Sequence, residues 1–353
     1  MGHRNFEISG RLVGEGAPTY VIGEMSANHA GSFEEAAALV RIASDAGADA
    51  VKLQTYTADT MTIDADTPWM TIEDGLWAGR KLYELYDEAH TPWEWQPELR
   101  KVALEAGIEL FSTAFDTQSV EFLESMGVPV HKVASFEIVD HELIGMLAST
   151  GKPLIISTGM STLEEITEAV EVARSNGARQ IAVLKCTSAY PASPSDLNLR
   201  AIPHLREVLD VEVGFSDHTL GIEVPIAAVA AGASIIEKHF IRSHSISSAD
   251  SAFSIDGEEL GRMVDAIRNV EQAMGQPVLG PSEEEKRSII FRRSIFAVQD
   301  IVEGDEFTRS NVRVIRPGHG IAPKHLVEII GRRSKAIIKR GTPLTWDMVD
   351  FRS

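Results

Sequence analysis

The chain has 353 residues, of which 52 are acidic and 33 basic, for a formal net charge of −19. That balance argues against nucleic acid as the main partner and against an anionic membrane surface, since both need a basic face. One cysteine, Cys186, excludes an intrachain disulfide framework and points to a reducing compartment, the cytoplasm by default; the opening MGHRNFEISGRLVGEG lacks an apolar stretch of signal-peptide type, and no apolar run approaches the ~18 residues of a membrane span.

After a short N-terminal β extension (1–18), TYVIGEMS (19–26) predicts a strand. SFEEAAALVRIASDAG (32–47) predicts a helix, with Ser32 as N-cap, Glu35 completing a capping box and Gly47 as the stop. A second strand covers 50–56. A long segment, 57–95, follows with four of the five tryptophans, Trp69, Trp77, Trp93 and Trp95. Helix 96–106 then leads into strand 109–115. From there helices and strands alternate: helix 117–125, strand 131–136, helix 140–149, strand 153–159, helix 162–175, strand 181–188, helix 200–208, strand 212–218, helix 222–231, strand 235–240 and helix 256–274.

Eight βα units imply an α/β fold with a closed parallel (β/α)8 TIM barrel. A doubly wound open sheet fits less well, because no GxGxxG follows the first strand. At 57–95 the connection is too long for an ordinary βα loop, and long loops over a barrel mouth are usually functional. The barrel domain is assigned to 1–280 and a Pro-, Gly- and charge-rich linker to 281–288. A small, mainly β module at 289–353 has β-like runs SIFAVQ, VRVIRP and KAIIKRG broken by VEGDE and RPGHG. That module holds 12 basic and 7 acidic residues, a net of +5, which leaves 21 basic and 45 acidic residues, a net of −24, in the rest. Such asymmetry suggests that the two parts dock on each other.

In a (β/α)8 barrel the chemistry sits at the carboxyl ends of the strands. Here every strand ends in polar groups: Glu24; Lys52 and Gln54; Thr113; Lys132 and Ser135; Ser157; Lys185 and Ser188; His218; then Glu237, Lys238 and His239. The two-residue period of a strand puts His218 and His239 at one depth on adjacent strands. Two neutral imidazoles there are a plausible first shell for a divalent ion, with a hydrogen-bonded core pair as the alternative. The lysines at 52, 132, 185 and 238 are costly in strand ends unless they meet an anion. With the hydroxyls of Thr113, Ser135, Ser157 and Ser188 they describe a site for phosphate and carboxylate. Salt-bridged structure and a Schiff-base lysine on the same barrel remain open readings, as does a non-catalytic saccharide-binding role.

Seven motifs carry a resemblance: IGEMSANHAGS (22–32), VKLQTY (51–56), KVASFE (132–137), ISTGM (156–160), KCTSAYP (185–191), FSDHTLG (215–221) and EKHF (237–240). Together they resemble the sialic acid synthase family, the phosphoenolpyruvate-dependent nonulosonic acid synthases. The segment RSIFAVQDIVEGDEFTRSNVRVIRPGHGI (293–321) resembles their antifreeze-like (SAF) module. SANHAGS, GLWAGRKLYELYDEAHTPWEW (75–95) and SADSAFSID (248–256) are most like the branch that makes pseudaminic acid; neighbouring branches make N-acetylneuraminate or legionaminate. The resemblance implies a transferase that condenses phosphoenolpyruvate with a 2,4-diacetamido-2,4,6-trideoxy sugar and water. It carries His218 and His239 onto metal ligands, for Mn2+, Mg2+ or Co2+. It carries Lys52, Thr113, Lys132, Ser135, Ser157 and Tyr190 onto phosphoenolpyruvate contacts, with Ser188 standing where the neuraminate branch has Asn. Glu24, Gln54, Tyr190 and Asp250 fall near the sugar, and Glu24 is a candidate general acid or base. Arg316 matches a tail arginine that reaches the partner's active site across a homodimer.

Overall fold

The computed structural model describes residues 6–14 and 16–352; residues 1–5 of the predicted N-terminal extension, with Glu15 and Ser353, lie outside them. Two compact units emerge, Met1–Gly275 and Gln276–Ser353. In the first, eight parallel strands alternate with helices. They are β1 (Tyr20–Glu24), β2 (Ala50–Thr55), β3 (Glu109–Ala114), β4 (His131–Val133), β5 (Leu154–Ser157), β6 (Ile181–Cys186), β7 (Glu212–Asp217) and β8 (Ile235–Ile241). Each pairs with the next, and β8 pairs with both β7 and β1, so the sheet closes into a (β/α)8 barrel.

Periodicity explains the packing. Helix Phe33–Asp45 buries Ala36, Leu39, Val40 and Ala43, one stripe at three- and four-residue spacing, against strands whose Val21, Ile22, Val51 and Leu53 are fully enclosed. Each such valine, leucine or isoleucine contributes about 1.5–3 kcal/mol. Ser32 caps this helix by accepting the Glu35 amide, and Gly47 takes the left-handed turn beyond it at φ 78°. The expected capping box is incomplete: the Glu35 carboxylate is instead held by Arg242, 2.9 Å away. The extension forms an antiparallel hairpin, Phe6–Ile8 with Arg11–Val13. Its Phe6, Ile8 and Val13 join the barrel core, and its partners Gln180 and Asp49 precede β6 and β2, so it sits at the end opposite the strand carboxyl termini.

Segment 57–95 contains a helix, Leu82–Ala89, that the sequence pattern did not single out. In the second unit Ser294–Ala297 pairs antiparallel with Val312–Ile315, and Arg333–Ser334 with Val349–Asp350, around a separate core that includes Ile295, Phe307, Ile329 and Leu344. KAIIKRG is no full strand; it contributes a single bridge, Ile338 with Ile301. Residues 283–286 of the predicted linker are helical. Among the described residues, no helix is long and apolar enough to cross a membrane.

Candidate active site

At the carboxyl ends of the strands lies a cavity of about 570 Å3. Strand register delivers its floor. Glu24 on β1 stands opposite Lys52 on β2, Gln54 opposite Thr113 on β3, and Thr113 opposite Lys132 on β4; His239 on β8 stands opposite Glu24. Lys52 Nζ lies 2.7 Å from Glu24 Oε2, donates to Thr113 Oγ1 at 3.0 Å, and has Glu237 at 3.8 Å. Gln54 donates to the other Glu24 oxygen at 3.0 Å. Burial works against the Lys52 charge, but Glu237 and Glu24 outweigh it and raise its pKa. Burial pushes the Glu24 carboxyl above the ordinary carboxylate range against the pull of Lys52. Glu237 goes the other way: burial opposes its charge, and Lys52 and Lys132 overcome it.

Lys132 is different. Its ammonium donates to Ser157 Oγ at 2.6 Å and to the Val133 carbonyl at 2.7 Å, with no carboxylate in ion-pair contact among the described residues. Burial lowers its pKa from the ordinary 10.5 to about 8. Two buried lysines with the Thr113 and Ser157 hydroxyls form a floor suited to an anion with several oxygens. Ser135 also lines it and accepts the Gly159 amide at 3.0 Å. A β-carbon at Gly159 would collide with Ser188 Oγ, which accounts for the glycine of ISTGM. Ser188 does not line the cavity.

His218 and His239 line one wall, their ring centroids 5.3 Å apart. His218 Nδ1 lies 3.0 Å from the Thr187 carbonyl. A carbonyl only accepts, so that nitrogen carries a proton, and the Nε2 lone pair is free whenever the ring is neutral. Burial, then the neighbouring His218 and lysines, holds the His239 pKa well below its usual value, so this ring is neutral, and its buried Nδ1 has no hydrogen-bond partner among the described residues. Burial also works against charge on His218, yet Cys186, whose Sγ is 3.8 Å from Nδ1, and Thr187 raise its pKa overall. Asp250 Oδ2 is 3.7 Å from His239 Nδ1. The two imidazoles fit a divalent ion as nitrogen donors, with positions left for oxygen ligands. A grouping of three metal-type donors, His244, Asp256 and Glu259, lies elsewhere and is partly exposed; His244 there is 3.0 Å from Glu259.

The cavity thus brings together Glu24, Lys52, Gln54, Thr113, Lys132, Ser135, Ser157, Tyr190, His218, His239 and Asp250. Arg316 belongs to the second unit, exposed in the turn before Pro317. Two of the four strand-end lysines are not in the lining. Lys185 donates to the Cys186 carbonyl, and Lys238 is fully buried against Asp217 at 2.6 Å. Of the tryptophans, only Trp77 reaches the cavity: its ring packs on Tyr190 and its Nε1 donates to the Ala249 carbonyl at 3.0 Å. Trp93 packs on Phe122 and Trp95 on Phe33, while Trp69 is 86% exposed.

The structure adds residues that sequence reasoning passed over. Glu137 lines the cavity, and burial lifts its carboxyl to about 7. Phe253 is buried edge-on to His239, with centroids 4.9 Å apart, and also packs on Tyr190. Both lie inside motifs already quoted, KVASFE and SADSAFSID, and that membership was the available signal. Asn28, of SANHAGS, ties the β1 turn to the loop bearing Asp250 and Phe253: its Nδ2 donates to Ser254 Oγ, and its Oδ1 accepts from Ser248.

Residues 39–278 match the NeuB family and residues 292–350 the SAF domain. The pseudaminic acid synthase of Campylobacter jejuni is 43% identical over 325 residues, 92% of this chain and 95% of that protein. The Helicobacter pylori pseudaminic acid synthase is 41% identical over 335 residues, 94% and 98% of the two chains. Among solved structures, the N-acetylneuraminic acid synthetase of Leptospira borgpetersenii superposes with a TM-score of 0.72 at 28% identity, covering 82% of this chain and 97% of that one. The chain belongs to the NeuB family.

Proposed function

We propose that the chain condenses phosphoenolpyruvate with 2,4-diacetamido-2,4,6-trideoxy-altrose and water, giving pseudaminic acid and phosphate. The observation that carries this reading is the cavity floor, where buried Lys52 and Lys132 meet Thr113 and Ser157 beneath two imidazoles. Similarity to two pseudaminic acid synthases along more than nine-tenths of the chain supports the choice of product.

Lys132 and Lys52, with Thr113, Ser135 and Ser157, hold the phosphate and carboxylate of phosphoenolpyruvate. His218 and His239 would hold a divalent ion, Mn2+, Mg2+ or Co2+, which when bound polarises the sugar aldehyde as a Lewis acid. Tyr190, Gln54 and Asp250 orient the open-chain sugar so that its C1 faces C3 of phosphoenolpyruvate. The new C–C bond forms there, water adds at C2, and phosphate leaves with C–O cleavage. Glu24, with its pKa lifted by burial, moves a proton to or from the adding water or the new hydroxyl. Holding the two substrates in line contributes up to about 7–11 kcal/mol to the barrier reduction. Ser188 acts indirectly, by filling the space above Gly159. Arg316 reaches the sugar in a partner's cavity within a homodimer, and the enzyme works in the cytoplasm without nucleic acid or membrane.

The test is a panel of acyl-amino sugars incubated with phosphoenolpyruvate and Mn2+, read by phosphate release and product mass. Phosphate and a nine-carbon acid are expected with the trideoxy altrose sugar, and neither when pyruvate replaces phosphoenolpyruvate. Turnover with pyruvate alone would overturn the reading.

A further inference from the structure

Helix Leu82–Ala89 turns Leu82, Leu85, Tyr86 and Ala89 into the cavity, the i, i+3, i+4, i+7 stripe of an amphipathic helix. Such a stripe ordinarily packs against a core. Here it faces the same 570 Å3 space whose floor holds Lys52 and Lys132, and Met61 and Ile72 from the same segment extend it. The opposite face carries Glu84, Asp87 and Glu88, all exposed. No charged residue of segment 57–95 lines the cavity, and the Trp77 Nε1 is already occupied by the Ala249 carbonyl.

We infer that this apolar roof is the subsite for the methyl-bearing groups of the acceptor sugar, and that it selects a 6-deoxy, doubly N-acylated sugar over a more hydroxylated one. This deepens the proposed function and rests on it. Apart from the Tyr86 phenol, the side chains of this roof offer no partner to a hydroxyl at C6, or at C4 in place of an acetamido group, which would lose its hydration against them. A methyl at the same place gains apolar contact. Continuity with the polar floor commits the roof to the sugar: phosphoenolpyruvate, whose charges belong on the lysines, has little apolar surface to place there.

The experiment compares kcat/KM for the 2,4-diacetamido-2,4,6-trideoxy sugar and for a 2-acetamido hexose with hydroxyls at C4 and C6. It uses the full chain and the variants Ile72→Thr and Leu82→Gln, with Leu82→Met as the apolar control. Wild type is expected to prefer the trideoxy sugar. The preference is expected to fall ~10–200-fold in each polar variant, the range for one hydrophobic contact in a pocket, and to stay within about twofold in Leu82→Met. The KM for phosphoenolpyruvate is expected to be unchanged, reporting an intact floor in every folded variant. An unchanged sugar preference in both polar variants would overturn the roof and leave the proposed function standing. A wild type inactive on the trideoxy sugar would overturn the proposed function itself.

Discussion

Replacing Lys132 with methionine sets the cost of a buried charge against its use. Burial lowers the Lys132 pKa from 10.5 to about 8, which at 1.36 kcal/mol per pH unit means the folded chain carries a charge costing about 3 kcal/mol. A lysine whose folded pKa is depressed bears that cost in full below about pH 8 and sheds it as pH rises toward 10.5. Methionine, of similar length, removes the charge along with two hydrogen bonds from the ammonium, to Ser157 and the Val133 carbonyl, each worth about 1.5–3 kcal/mol. The gain of about 3 kcal/mol and the loss of about 3–6 kcal/mol largely offset, so the net cost should be no more than about 3 kcal/mol, within about 10 °C in Tm. Binding should behave differently, because losing a hydrogen bond between charged groups costs about 1.5–3 kcal/mol, a ~10–150-fold rise in KM for phosphoenolpyruvate. The assay is phosphate release against phosphoenolpyruvate concentration from pH 6 to 9.5, alongside thermal melts. Wild-type kcat/KM should fall above about pH 8 as Lys132 loses its proton, and the methionine variant should lack that limb. A variant that melts more than about 10 °C lower while keeping its KM would refute the reasoning, since Lys132 would then be structural.

Changing His218 or His239 to alanine should weaken Mn2+ binding, measured by electron paramagnetic resonance on the substrate-free protein, by more than about 100-fold. Unchanged affinity in either variant would remove that ring as a ligand. Arg316→Ala should raise the KM for the sugar and leave that for phosphoenolpyruvate unchanged. Because the arginine is proposed to act across a homodimer, co-refolding Arg316→Ala with Lys132→Met should restore about a quarter of wild-type activity, through heterodimers with one intact site. A mixture no more active than its components would place the arginine's action within its own chain.

The barrel was legible because strands and helices obey different periods, and the eight apolar-to-polar strand ends mark the mouth. The same rule, applied strictly, places Lys238 on the face opposite Glu237 and His239, where the structure finds it against Asp217. Grouping Lys238 with the other strand-end lysines in one anion site ignored that alternation, and its salt-bridged alternative is the one the structure shows. Helix Leu82–Ala89 was harder, because an apolar stripe facing a cavity has the same spacing as one facing a core. Glu137 follows β4 in a short 3-10 turn, where no period indicates direction, so only three-dimensional packing could put its carboxyl in the cavity. Ser188 was read as an anion contact from its strand-end hydroxyl, and the structure adds that this hydroxyl sits against Gly159.

Asp217 and Lys238 stand directly opposite each other on β7 and β8, one residue before the two histidines, and both are enclosed on the outward face. A one-residue slip of either strand would turn its histidine outward and strand an unpaired charge in the interior, at about 3–5 kcal/mol. The pair therefore works as a ruler for the neighbouring imidazoles. That requirement leaves only the connecting helix and its turns, between residues 212 and 239, free to change length. A designer wishing to retarget the enzyme would leave both strand lengths as they are and work in segment 57–95, keeping the Trp77 and Trp93 hydrogen bonds that anchor it.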